Sequence, residues 1–244
     1  MSDRRVAIVT GGSRGIGRAC VERLASDGFD VVVGFTSRQE HADAAAAQAE
    51  ANGARAVPVR VDVGDEESAR QLFDTAEATF GGVDAVVSAA GRMDLRPLTD
   101  FDITVLDEMF STNLRGAFLI ARQAAQRVRS GGAVVNFSSS VIGRALPTYA
   151  GYAAMKAGIE AMTFILAHEL RGRDITVNAV SPGPTGTDMF LADKTDEQVA
   201  FFANAAPLQR LGTPSDIAAV VSFLCGDDGR WVNGQAIRAN GGLI

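Results

Sequence analysis

The stretch VAIVTGGSRGIG (6–17) decides the fold, because a short apolar run leads straight into a glycine-rich turn and then a helical pattern. A continuous apolar run bounded by turn residues is typical of a strand buried on both faces. Glycines after such a strand let a pyrophosphate come close, and a helix N-terminus offers it free N–H groups. We therefore predict a dinucleotide-binding turn, in which Gly11 forms the tight bend and Gly15 and Gly17 allow the close approach.

Similar apolar runs recur along the chain: VAIV (6–9), VVVGF (31–35), AVPVRV (56–61), DAVVSA (84–89), AVVNF (133–137) and ITVNAV (175–180). Helical patterns lie between them, for example at 17–28, 42–53 and 66–82. Alternating strands and helices indicate right-handed βαβ units and a parallel sheet. The prediction is one doubly wound, Rossmann-like α/β domain over 1–244, with about seven strands and helices on both faces.

Composition excludes several classes of function. The chain has 244 residues, 47% of them apolar, and a net charge of −6, which gives no reason to expect nucleic-acid or anionic-membrane binding. We see neither a signal sequence nor an apolar run of the ~18 residues that a membrane span needs. Cys20 and Cys225 form no disulfide framework, and His41 and His168 form no metal-ligand pattern with them. We expect a cytoplasmic protein without a metal.

A tyrosine and a lysine in YAAMK (152–156) have the spacing i, i+4 and so share one helix face. The phenol of Tyr152 has an ordinary pKa of ~10, which suits proton transfer near neutral pH poorly. An ammonium ~4 Å away would favour the phenolate by up to ~4 kcal/mol, which is roughly three pKa units. We therefore predict that Lys156 lowers the pKa of Tyr152 and prepares it for proton transfer.

The TGxxxGIG spacing of 10–17, together with the Tyr152–Lys156 pair, resembles the short-chain dehydrogenase/reductase family from Arg5 to the end of the chain. The resemblance implies hydride transfer with a nicotinamide cofactor. Tyr152 would donate the proton, and Lys156 would bind the ribose. Asn113, in STNLRGAF, would anchor a water chain to Lys156, with a buried structural asparagine as the alternative.

The resemblance also implies a catalytic serine in the triplet 138–140. In the family this serine lies about thirteen residues before the tyrosine, and that spacing selects Ser139. Counting back three residues from Gly143 would select Ser140 instead. The distance from the preceding strand agrees with Ser139, whose hydroxyl would stabilise the substrate oxygen.

The end of the second strand predicts which nicotinamide cofactor binds. An NAD enzyme commonly places an acidic residue there, but this chain reads FTSR (35–38). Arg14, Ser37 and Arg38 could receive a 2′-phosphate, which favours NADP(H) over NAD(H). The alternative for Arg38 is a solvated charge at a helix start. Ser13 and Ile16 complete the predicted contacts of the first turn.

Three further turns carry cofactor contacts that the resemblance implies. Asp62, followed by Val63, would bind the adenine, and the alternative is a turn residue. Ala90 and Gly91 let the backbone approach the cofactor. At 88–91 this chain reads SAAG where the family has Asn-Asn-Ala-Gly, so it lacks the two asparagine side chains that would brace the central sheet through hydrogen bonds. The third turn, SPGPTGTDM (181–189), would hold the nicotinamide carboxamide and a phosphate through Pro182, Gly183 and Thr187. A substrate lid is expected around 184–206.

The resemblance is closest to the bacterial 3-oxoacyl-carrier-protein reductase and ketone-reductase branch. It implies NADPH-dependent reduction of a small-molecule ketone to a secondary alcohol. The alternatives are an alcohol, sugar or steroid dehydrogenase, and a non-catalytic dinucleotide-binding regulator. The resemblance also implies a homotetramer or dimer, built through the helices containing Asn113 and Tyr152. A carrier-protein patch at Arg122, Arg127 and Arg129 is less favoured than an ordinary exposed helix end.

Overall fold

The computed structural model describes residues 4–192 and 194–244. Within them, seven strands form one sheet in the order β3-β2-β1-β4-β5-β6-β7, and all neighbours are parallel. The strands are β1 (Val6–Thr10), β2 (Asp30–Phe35), β3 (Ala56–Arg60), β4 (Val83–Ser88), β5 (Val128–Phe137), β6 (Thr176–Pro182) and β7 (Ala236–Ala239). The predicted doubly wound fold is confirmed.

The helices cover both faces of this sheet. They are α1 (Gly15–Ser26), α2 (Gln39–Ala51), α3 (Glu66–Phe80), α4 (Ile103–Phe110), α5 (Gly116–Arg127), α6 (Ala150–Glu169), α7 (Asp188–Leu191), α8 (Asp196–Ala205) and α9 (Pro214–Cys225). One core cluster joins α1, α2 and α9 to the sheet, and a second joins α3, α5 and α6 to the opposite face. Successive residues of β1 alternate between them: Ala7 and Val9 belong to the first cluster and Ile8 to the second.

The direction of strand addition reverses between β1 and β4. The chain first adds β2 and β3 on one side of β1, then returns to place β4 on the other side. Thr10 and Ser88, at the carboxyl ends of β1 and β4, are therefore register partners. Open α/β sheets bind ligands in the crevice at such a reversal.

The connection between α4 and α5 is a π-helical segment, Ser111–Arg115, in which Asn113 is buried. Isolated π-helical turns inside α-helices occur frequently at functional sites. In the described part of the chain, no helix is long and apolar enough to cross a membrane. The same residues contain no group of three or more side chains suited to hold a metal ion.

Candidate active site

A cleft of about 290 Å³ opens at the carboxyl ends of the strands, where the sheet reverses. It brings together most of the side chains predicted for the site. The predicted residues that line it are Gly11, Ser13, Arg14, Gly15, Ile16, Gly17, Ser37, Arg38, Ala90, Gly91, Ser139, Tyr152, Lys156, Pro182, Gly183 and Thr187. Asn113, Asp62 and Val63 do not line it.

The glycine turn after β1 has the shape of a phosphate cradle. A Cβ on Gly17 would lie 2.1 Å from the carbonyl oxygen of Gly11, so only glycine fits there. Gly11 has φ +66°, and a Cβ on it would lie 2.9 Å from Cα of Ala90. The N-terminus of α1 carries no side-chain cap and no acidic residue in its first turn. Its N–H groups therefore suit the pyrophosphate of a dinucleotide.

Ser139, Tyr152 and Lys156 meet on one wall of the cleft. The hydroxyl of Ser139 faces the phenol of Tyr152 and accepts from the N–H of Val141 at 3.3 Å. Lys156 is 4% exposed, and its Nζ donates to the carbonyl oxygen of Phe137 at 2.7 Å. The same Nζ lies 5.6 Å from the centre of the Tyr152 ring. The segment after β5 and the first two turns of α6 therefore hold a hydroxyl, a phenol and an amine together.

The pKa values of the tyrosine and the lysine follow from burial. Burial raises the pKa of Tyr152 to about 12, opposed by its hydrogen bond with Ser139. Burial also lowers the pKa of Lys156 to about 8. Lys156 is not a cause of the Tyr152 shift here, and its lowering of the Tyr152 pKa beside a bound cofactor stays a prediction. The ammonium is directed to the Phe137 carbonyl, and desolvation disfavours the charged form of both groups.

The structure distinguishes between the two candidate serines by their contacts. The hydroxyl of Ser140 is buried, donates to the carbonyl oxygen of Ser181 at 2.9 Å and accepts from Nδ2 of Asn240 at 3.0 Å. Ser139, by contrast, faces Tyr152, and its hydroxyl accepts from the N–H of Val141 at 3.3 Å, which leaves its own proton free to donate. The geometry therefore agrees with the spacing that selected Ser139, whose catalytic role stays a prediction.

Asn113 lies behind the cleft and fixes the backbone after β4. Its Oδ1 accepts from the N–H of Arg92 at 2.9 Å, and its Nδ2 donates to the carbonyl oxygen of Arg92 at 2.8 Å. A Cβ on Gly91 would lie 3.1 Å from this Oδ1 and 3.9 Å from Nζ of Lys156. Both side chains therefore border the space that Gly91 leaves free. The sulfur of Met155 lies 3.8 Å from Nδ2 of Asn113.

The departure from Asn-Asn at 88–89 is compensated by another residue. The hydroxyl of Thr10, at the end of β1, accepts from the N–H of Ala90 at 3.2 Å. Ser88 is buried, and the N–H of Ala89 donates to the carbonyl oxygen of Val87 at 3.2 Å. A side-chain bond from the neighbouring strand thus braces this turn.

Two predicted cofactor residues lie outside the cleft. Oδ1 of Asp62 accepts from the N–H of Gly64 at 2.9 Å, which is the turn role left open for it. Val63 is buried, and its Cγ2 would lie 2.6 Å from a Cβ on Gly116. Val63 therefore packs against the start of α5, and the cleft geometry lends no support to the adenine contacts predicted for either residue.

The far end of the cleft, beside the N-termini of α1 and α2, carries two arginine charges that have no ion-pair partner among the described residues. Arg14 and Arg38 are exposed there and form no ion pair within the described residues. Arg38 has a left-handed backbone, φ 60°, at the residue before α2. Thr36 and His41 also line this end and were missed from the sequence, because an isolated polar residue there carries no recognisable pattern.

Aromatic side chains line another part of the cleft, whose lining also includes the charged Arg144 and Asp188. Phe190 and Phe202, from α7 and α8, line it with their ring centres 5.3 Å apart in an edge-to-face arrangement. Tyr149 also lines the cleft. Further side chains were missed because their segments have no regular pattern: Met93, Leu146 and Leu243. The expected lid therefore contributes apolar groups to the cleft.

The fold and this cluster define a Rossmann-like dinucleotide-binding protein with a Ser-Tyr-Lys site. A family model described as "Enoyl-(Acyl carrier protein) reductase" matches residues 11–244. A short-chain type dehydrogenase/reductase of Picea abies is 43% identical over 98% of this chain and 92% of its own length. An NADPH-dependent aldehyde reductase-like protein, chloroplastic, of Arabidopsis thaliana is 41% identical over 98% of this chain and 94% of its own.

Among solved structures, a short-chain dehydrogenase from Burkholderia cenocepacia in complex with NADP superimposes with a TM-score of 0.93. It is 36% identical, and the match covers 98% of this chain and 97% of that one. The chain belongs to the short-chain dehydrogenase/reductase family and is an oxidoreductase.

Proposed function

We propose that this protein reduces a ketone to a secondary alcohol with NADPH, and that Tyr152 donates the proton. The observation that carries the proposal is the contact between Ser139 and Tyr152, beside buried Lys156, between the phosphate cradle and the aromatic side chains of one cleft. When bound, NADPH would supply the hydride.

Tyr152 holds the proton that the reductive direction requires. Its pKa of about 12 keeps the phenol protonated at neutral pH, and donation to the substrate oxygen would need the bound state to bring this pKa down towards the operating pH. Ser139 would donate a hydrogen bond to the same oxygen. Lys156 would bind the ribose of the cofactor. The space beside Gly91, between Lys156 and Asn113, would hold the route by which a proton returns to Tyr152.

NADP(H) is supported by charge at the far end of the cleft. Arg14 and Arg38 are free to pair with a 2′-phosphate, whereas β2 ends in Phe35 without an acidic residue after it. The Burkholderia relative is in complex with NADP, and the Arabidopsis relative is named as NADPH-dependent.

A free carbonyl compound is better supported than a carrier-bound one. Arg122, Arg127 and Arg129 pair with acidic residues of α3 and with Asp84, so they present no unpaired basic patch. The apolar wall from Phe190 and Phe202 suits a substrate with apolar substituents around the carbonyl.

The test is turnover with a panel of aliphatic, aromatic and cyclic ketones, aldehydes, acetoacetyl thioesters and enoyl thioesters, each with NADPH and NADH. Loss of the reduced nicotinamide absorbance reports the reaction. Ketone reduction that prefers NADPH is the expected result. Reduction of enoyl thioesters alone would contradict the proposal, as would activity confined to alcohol oxidation. Cofactor binding without any turnover would instead favour a regulator.

A further inference from the structure

The two serines that flank Ser139 are both anchored to the end of β6. Ser138 donates through its N–H to the carbonyl oxygen of Val180 at 2.8 Å. Ser140 donates through its hydroxyl to the carbonyl oxygen of Ser181 at 2.9 Å. The position of Ser139 is therefore coupled to the position of this strand end.

A carboxylate on α6 joins the same elements from the other side. Oε1 of Glu160 accepts from the hydroxyl of Ser138 at 2.8 Å and from the hydroxyl of Ser181 at 2.7 Å. Ser138 and Ser181 are 3% and 1% exposed, so these hydrogen bonds are shielded from water.

The position of Glu160 on α6 gives these bonds a consequence for the site. Glu160 lies one helical turn after Lys156 and two turns after Tyr152, on the same helix. It thus ties the helix that carries Tyr152 and Lys156 to the turn that carries Ser139. It also ties both to Ser181, directly before the turn at Pro182 and Gly183 that lines the cleft.

We propose that Glu160 is a positioning residue for the reaction, which holds Ser139 against Tyr152 through Ser138 and Ser181. This inference rests on the proposed function, since it concerns the same site. Glu160 was not predicted from the sequence. The available signal was a charged residue four positions after Lys156 and three before Thr163, both of which are buried.

The test compares Glu160→Ala with Glu160→Gln, and uses Glu169→Ala as the matched control. Glu169 is exposed at the end of the same helix. The amide oxygen of Gln can accept from both hydroxyls, whereas Ala removes this acceptor and leaves the Ser138 hydroxyl only the carbonyl oxygen of Lys156, at 3.3 Å. We expect Glu160→Ala to lower kcat by roughly 10- to 100-fold, as small misplacements in a site do, with the ketone KM changed much less. Glu160→Gln should retain most of kcat, and Glu169→Ala all of it.

A double-mutant cycle tests whether Glu160 acts on Ser139 through Ser138. If Glu160 acts through Ser138, the variant carrying both Glu160→Ala and Ser138→Ala should lose little more kcat than Glu160→Ala alone. Fully additive losses would contradict this route. An unchanged kcat in Glu160→Ala with a lowered Tm would overturn the proposal, because it would show a structural role only. Equal loss in Glu160→Gln and Glu160→Ala would overturn it too.

Crystal structures of the same variants separate this inference from the proposed function. A wild type that reduces no carbonyl compound would refute the proposed function. The inference would then be decided by the distance between the Ser139 and Tyr152 hydroxyls: an increase in Glu160→Ala but not in Glu160→Gln supports it, and an unchanged distance in both overturns it.

Discussion

Lys156 is a buried cation whose folding cost can be measured. Its pKa falls from the ordinary value of 10.5 to about 8 through burial, which corresponds to about 3 kcal/mol. Between these pH values the unfolded chain holds a proton that the folded chain has released. The free energy of unfolding of the wild type therefore increases as the pH rises from about 8 to 10.5. Below about pH 8, the full cost of burying the charged Lys156 is present.

Lys156→Met should consequently be more stable than the wild type at neutral pH, when no cofactor is added. The gain should be smaller than about 3 kcal/mol, because the Phe137 carbonyl loses its donor. The difference should shrink as the pH rises from about 8 towards 10.5. Urea unfolding of both proteins across this range is the measurement. A difference that stays constant with pH would contradict the assigned cause.

Ser139 and Ser140 should respond differently to removal of their hydroxyls. Ser139→Ala should lower kcat by about 100-fold or more and the free energy of unfolding by at most about 1 kcal/mol, because its hydroxyl accepts only a 3.3 Å hydrogen bond from the N–H of Val141. Ser140→Ala should lower the free energy of unfolding by about 1–3 kcal/mol, since the Ser181 carbonyl and Asn240 amide lose their shared partner. Steady-state kinetics and urea unfolding of both variants give the comparison. The reverse pattern would assign the catalytic role to Ser140.

At the residue scale, the spacing of residues in the sequence predicted which side chains lie together. It did not predict their pKa values. Tyr152 and Lys156 share a helix face by geometry, and the structure places both in the cleft. Their pKa values depend on burial and on the Phe137 carbonyl, which lies on another element. Asp62 shows the same limit, because its turn bond to Gly64 becomes visible only in the folded chain.

At the element scale, strands with continuous apolar runs were predicted well, because burial on both faces leaves a clear pattern. β7 (Ala236–Ala239) contains Arg238 and is too short to show one. β5 begins at Val128, earlier than its apolar run, and its register with β4 shifts between Val83 and Ala85. The π-helical segment at Ser111–Arg115 coincides with the contacts of Asn113 to Arg92, which no local pattern reveals.

The lid element yields a test of substrate contact. Phe202 lines the cleft, whereas its neighbour Phe201 is 59% exposed and does not line it. Phe202→Ala should raise KM for bulky apolar ketones by about tenfold, which is about 1.4 kcal/mol, with a smaller effect on small ketones. Phe201→Ala is the matched control. Equal effects of both substitutions would show that the lid acts through its packing rather than through contact with the substrate.

At the scale of the whole molecule, the charge at the far end of the cleft should set the cofactor preference. Arg38→Asp should lower the ratio of kcat/KM with NADPH to that with NADH by at least about tenfold, which is ~1.4 kcal/mol. The cause is repulsion between a carboxylate and the 2′-phosphate. Arg171→Asp, an equal charge change at an exposed position away from the cleft, is the control. An unchanged ratio would remove Arg38 from the phosphate site.

Assembly is a second property of the whole molecule, and the homotetramer or dimer stays a prediction. Phe118 on α5 and Ile165 on α6 are 57% and 60% exposed, on the helices expected to form the interface. Light scattering should give a mass above that of one chain, and Phe118→Glu should reduce it. A monomeric wild type would contradict the prediction. The cytoplasmic location likewise stays a prediction.

The central claim is that Tyr152 donates the proton, and its most direct test is turnover of a ketone by the wild type and by Tyr152→Phe. Tyr149→Phe, the other tyrosine lining the cleft, is the matched control. We predict that Tyr152→Phe binds NADPH normally and loses about 10³-fold or more in kcat, while Tyr149→Phe keeps most of it. Near-normal turnover by Tyr152→Phe would contradict the account.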